Sequence, residues 1–70
     1  MNKIIYAVVF GNGFFYTEDG FGGMDYDFHK AKFYDHEWEI GYDSKLKTYV
    51  KDKDLTYKIK KFKCVITEIN

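Results

Sequence analysis

Two histidines, one cysteine, one serine and eleven carboxylates are the side chains through which this 70-residue chain could do chemistry. His29 and His36 flank Phe33 and Tyr34 in an acidic stretch, the setting of a general base. A general base also needs a substrate pocket beside it, which a chain this short rarely encloses. Ser44, Cys64 and the carboxylates follow no nucleophile-elbow or metalloprotease spacing. His29, His36 and Cys64 also lack the paired ligands of a metal site. Cys64 lies between Lys63 and Val65 in an apolar run, so it reads as a small buried hydrophobe, and alone it forms no internal disulfide. The glycine-rich stretches Gly11-Asn12-Gly13 and Gly20-Phe21-Gly22-Gly23 match no phosphate or dinucleotide loop and read as turns. These features predict a non-enzymatic domain with no cofactor and no metal.

Binding surfaces are better represented. Carboxylates repeatedly adjoin aromatics, in Asp25-Tyr26-Asp27, Tyr34-Asp35, Glu37-Trp38-Glu39 and Tyr42-Asp43. Such carboxylates on a small rigid scaffold can imitate nucleic-acid phosphates and occupy the basic groove of a partner, with Tyr and Trp adding contact area at low entropy cost. The plainer reading is a solvated acidic face with its rings turned inward. The partner-binding candidates are Phe21, Met24, Asp25, Tyr26, Asp27, Glu37, Trp38 and Glu39, with Phe21 and Met24 on an adaptable glycine frame. The alternative surface is the lysine strip Lys58, Lys60, Lys61 and Lys63, interleaved with Tyr57 and Phe62. It would bind single-stranded nucleic acid by phosphate attraction and base stacking. Zero net charge and the absence of any arginine weigh against it, and lysines on an exposed strand are also an ordinary solubility device.

The charge is segregated. Between Glu18 and Asp43 eight acids face only Lys30 and Lys32, whereas from Ser44 onward eight lysines face three acids. Two such regions either attract each other within the fold or stand ready for separate partners.

A chain this short forms one domain, residues 1–70, near the lower limit of stable size. Seven Tyr, seven Phe and one Trp supply the dense packing it needs. No export signal or membrane span is legible, and the lone thiol permits a reducing cytoplasm, so a cytoplasmic location with no membrane partner is expected.

With two Ala, two Leu, no Arg and no Gln, the composition favours sheet over helix. The apolar run within Lys3–Phe10 predicts a central strand covered on both faces. Gly11-Asn12-Gly13 turns it into a hairpin with Phe14–Glu18, and Phe21-Gly22-Gly23-Met24 follows as a flexible connection. A turn over Asp25–Lys30 then leads to a short third strand at about Ala31–Tyr34.

Glu37 to Asp43 alternates like a strand, yet Trp38, Tyr42, Leu46, Tyr49 and Val50 fall on one helical stripe. A helix over about 36–50 is preferred, capped by Asp35, with Glu37 and Glu39 in its first turn and Lys45 to Lys53 towards its end. Gly41 costs it about 1 kcal/mol. The fold expected is therefore α+β: a hairpin, a third strand, one helix and a long closing strand over about 55–69. A small all-β barrel is the alternative. Along that last strand Leu55, Tyr57 and Ile59 share one parity and Phe62, Cys64 and Ile66 the other, which predicts a bulge at Lys60-Lys61.

Tyr6-Ala7-Val8-Val9-Phe10, the hairpin to Phe15-Tyr16-Thr17, Asp19-Gly20-Phe21, Ala31-Lys32-Phe33-Tyr34 and the closing Lys/Ile/Val strand resemble small accessory proteins of phages and prophages of low-GC Gram-positive bacteria. Gly41 departs from the small helix-forming residue expected in that pattern. No functional residues transfer with the resemblance. It implies a stoichiometric inhibitor of host machinery, an anti-defence or anti-CRISPR factor that binds a host protein. The competing readings are the nucleic-acid module, a homo-oligomeric structural protein sealed by its aromatics, and a nucleotide-signal sponge with its pocket between protomers.

Overall fold

The computed structural model describes residues 2–17 and 23–65. Strand β1 (Asn2–Phe10) and strand β4 (Tyr57–Val65) form a nine-residue antiparallel ribbon. β2 (Phe15–Tyr16) and β3 (Met24–Asp25) complete a four-stranded antiparallel sheet in the order β3-β2-β1-β4. β1 is central because its apolar run feeds both faces. The neighbours Ala7 and Val8, which a strand points in opposite directions, are both fully buried.

On one face Val8 and Phe10 pack with Tyr16, Tyr34, Ile40 and Leu46 to make the core. On the other lies a second, phenylalanine cluster. Phe28 stands 4.6 Å from Phe62, 4.9 Å from Phe33 and 5.7 Å from Phe15 between ring centroids. A 3₁₀ turn over Phe28–Lys30 delivers Phe28, and the Asp27 carboxylate caps it by accepting from His29 N–H at 2.9 Å. The expected turn over Asp25–Lys30 is thus present.

Gly13 closes the expected hairpin at φ +88°, its N–H donating to Phe10 O, while Asn12 Oδ1 accepts from Phe14 N–H. β2 is shorter than the strand predicted over Phe14–Glu18, and Glu18 lies outside the described residues. Beyond Val9 and Phe15 the two strands part, and residues 32–34 enter between them. Lys32 N–H donates to Tyr16 O, and Tyr34 and Tyr6 exchange both backbone hydrogen bonds at 2.9 Å. The third strand predicted at Ala31–Tyr34 is therefore a wedge with one bridge, and the strand that pairs with β2 is Met24–Asp25.

The helical reading of the middle segment holds, and the all-β alternative does not. The helix is in two pieces, α1 (Glu37–Gly41) and α2 (Ser44–Lys53). Asp43, in an extended conformation, restarts it by accepting from Leu46 N–H at 3.1 Å. Asp35 is not the cap. His36 occupies that position with its N–H bonded to Glu39 Oε1 at 2.8 Å, and Asp35 pairs with Lys3 instead. Lys51 and Lys53 fill the last turn of α2, as the helix dipole favours. The break changes the phase of the apolar stripe. Leu46, Tyr49 and Val50 face the core as expected, but Ile40 replaces Trp38 and Tyr42 there.

β4 carries no bulge. Its register with β1 runs unbroken from Asn2 opposite Val65 to Phe10 opposite Tyr57. Strand alternation instead sends Tyr57 and Ile59 to the helix side and Phe62 and Cys64 to the phenylalanine side. Cys64 is only half-buried. The part of the closing strand predicted over 66–69 lies outside the described residues.

Candidate functional site

α1 is a single helical turn held at both ends. Glu39 caps its start, and Ile40, 1% exposed, anchors it in the core. A five-residue helix with one inward residue must turn its other large side chains outward. Trp38 is 64% exposed and Tyr42 80%. The rings are ordered against one another: Trp38 lies parallel to His36 (centroids 5.8 Å apart, planes 9° apart) and meets Tyr42 edge-on at 6.0 Å. Glu37 is exposed beside them. Below this ledge Lys3 Nζ donates to Asp35 at 2.8 Å. The hydrogen bond and the opposite charge raise the Lys3 pKa and lower that of Asp35.

Next to the ledge a shallow cleft of about 390 Å³ is lined in part by Lys32, Tyr34, Glu39, Tyr42 and Asp43. Asp43 is its best-formed polar group. One carboxylate oxygen accepts from Leu46 N–H, and the other from Lys32 Nζ at 2.8 Å and Tyr34 OH at 2.6 Å. Burial pushes the Asp43 pKa up, but the hydrogen bonds from Lys32, Tyr34 and Leu46 and the Lys32 charge outweigh it and bring it to about 2. A carboxylate this acidic, with both oxygens engaged, is a weak proton acceptor at neutral pH. Its work is to splice α2 onto the wedge at residues 32–34. Among the described residues no three of His, Cys, Asp and Glu gather into a group that could hold a metal ion.

The partner-binding candidates separate into two regions. Phe21 lies outside the described residues. Met24 is half-buried against the core and its sulfur faces Asn12 Nδ2 at 3.6 Å. Asp25 and Asp27 accept from the N–H two residues on, at 2.8 and 2.9 Å, so both carboxylates shape the turn that presents Phe28. Tyr26, 73% exposed, leans on Phe14 with centroids 3.8 Å apart. Of the second group Glu39 is used as a cap, whereas Glu37 and Trp38 face outward. Tyr42 and His36, which complete the ledge, are not among the candidates that the sequence offers. The four-residue spacing of Trp38 and Tyr42 is the available signal, and in the sequence it fits a core stripe.

The four lysines do not share a face. Lys58 and Lys60 lie opposite Val9 and Ala7 on the phenylalanine side, whereas Lys61 and Lys63 lie opposite Tyr6 and Ile4 on the helix side. No helix among the described residues is long and apolar enough to cross a membrane. No family model, curated protein or solved structure matches the chain.

Proposed function

We propose that this domain is a non-enzymatic binder that occupies a basic surface of a host protein inside the bacterial cell. It acts as a phage-type, anti-defence inhibitor, and CRISPR nucleases are one target class. The observation that carries this reading is the ordered yet exposed set His36, Trp38 and Tyr42 beside Glu37. Large apolar rings left in water on an anchored turn cost the free protein and return that cost when a partner covers them. Trp and Tyr are the residues most enriched at binding hot spots, and an adjacent carboxylate steers the encounter towards lysine or arginine. The phage setting rests on the resemblance described above and on the small single-domain scale of the chain.

The test is capture from a bacterial lysate with immobilised wild-type protein and three variants. Trp38→Ala/Tyr42→Ala and Glu37→Lys should each reduce capture of the same partner at least tenfold. Lys58→Ala/Lys60→Ala/Lys63→Ala should retain it. Capture that survives loss of both rings, in a variant as stable as wild type, rejects the ledge as the binding site.

A further inference from the structure

β4 ends the sheet, and its outer side is faced by no other strand among the described residues. The direction of its free hydrogen-bonding groups follows from the register. Tyr6 gives both of its backbone bonds to Tyr34, away from β4, and Gly11 N–H donates to Thr56 O. Odd residues of β1 therefore bond even residues of β4. The N–H and C=O of Tyr57, Ile59, Lys61, Lys63 and Val65 consequently point out of the sheet. Seven of the nine β4 residues are exposed, and Tyr57, Ile59 and Val65, large apolar side chains, are among them. An edge of this length with apolar contacts is a template for another strand.

Charge selects the occupant. From Tyr57 to Val65 there are four lysines and no acid. A second copy would pair antiparallel about a two-fold axis, with outward-pointing residues facing outward-pointing residues. Centred on residue 60, 61 or 63 that pairing sets Lys60, Lys61 or Lys63 against itself. Centred on 59 it sets Lys58 against Lys60, and on 62 Lys61 against Lys63. Directly opposed like charges destabilise every one of these registers, and the one centred on Lys58 as well. The registers centred on 57, 64 or 65 oppose no two lysines but pair at most three residues of β4 with their copies, so the lysines disfavour the chain's own edge over the length of the strand. A nucleic acid would need its phosphates met on one face, and the lysines alternate between two.

We infer that the outer edge of β4 docks an extended, carboxylate-rich segment of another protein, which adds to the sheet as a fifth strand. Its carboxylates would fall on both faces, opposite Lys58 and Lys60 on one and Lys61 and Lys63 on the other. Apolar residues between them would cover Tyr57, Ile59 and Phe62. This edge is separate from the α1 ledge and does not depend on the function proposed for it.

The probe is the capped peptide VTEVEEVEV, titrated into isotopically labelled protein. Its controls are the same peptide with lysine for glutamate and a ten-nucleotide oligothymidylate. The outward amides of Tyr57, Ile59, Lys61 and Lys63 should shift and gain exchange protection with the acidic peptide only. Ile59→Pro removes one outward N–H without touching the bonds to β1, a position where an edge strand tolerates proline. It should weaken binding at least tenfold. Lys61→Glu/Lys63→Glu should do the same and gain affinity for the lysine peptide, and it decides the matter if the proline variant does not fold. Four results would overturn the inference: no shift with the acidic peptide, equal affinity in folded Ile59→Pro, preferential binding of the oligothymidylate, or a dimer that Ile59→Pro dissolves.

Discussion

Replacing Asp43 by asparagine keeps a capping oxygen for Leu46 N–H but removes the charge that holds Lys32 and Tyr34. The magnitude follows from the carboxyl group. Folding lowers its pKa from an ordinary 3.8 to about 2, which at 1.36 kcal/mol per decade corresponds to about 2 kcal/mol of stability. The side chain is only 8% exposed, so solvent screens little of this. Because the folded-state pKa is the lower one, the contribution is complete above about pH 5 and declines as the pH falls through 4 towards 2. Urea unfolding of wild type and Asp43→Asn should therefore differ by about 2 kcal/mol at pH 7 and by about 1 kcal/mol or less at pH 2.5. At neutral pH the melting temperature should fall by roughly 8–16 °C for a domain of this size. Equal stabilities at pH 7, or a gap that does not narrow in acid, would refute the claim that this ion pair splices helix to sheet.

Two further substitutions probe the packing beneath the site. Gly23 has φ +90°, and a Cβ there would come within 2.7 Å of the Tyr49 ring, itself packed against Phe10 and Tyr16. Gly23→Ala should cost about 2–4 kcal/mol, combining backbone strain with overpacking, and show as a lower urea midpoint. Thr17 is 1% exposed and its hydroxyl has no hydrogen-bond partner among the described residues. Thr17→Val should raise stability by about 1 kcal/mol by removing an unmet polar group, and a loss of stability would show that the hydroxyl is satisfied.

Long, regular features were legible in the residues, whereas decisions resting on one polar side chain were not. The seven-residue apolar run ending at Phe10 predicted a strand buried on both faces, and Gly11-Asn12-Gly13 predicted its hairpin; both are present. The helical segment was legible from Leu46, Tyr49 and Val50, but not its interruption. Asp43 is one of many acids beside an aromatic; its cap on Leu46 N–H is a local bond, and what sets it apart is the approach of Lys32 and Tyr34 to its other oxygen from elsewhere in the chain. That interruption turned Trp38 and Tyr42 from expected core into ledge. The parity switch at Lys60-Lys61 was a true signal with the wrong cause. An edge strand with an apolar cluster on each side satisfies both parities without an extra residue. The wedge at residues 32–34 needs the parting of β1 from β2, a tertiary event with no local signature.

Trp38 is the only tryptophan in the chain, so a fluorine label on its indole reports on the ledge alone. The account predicts that the single ¹⁹F signal of free protein is solvent-sensitive, and that saturating captured partner shifts it and abolishes its response to H₂O/D₂O exchange. A complex in which that signal stays where it was, still open to solvent, would contradict the claim that the α1 ledge is the surface through which this protein acts.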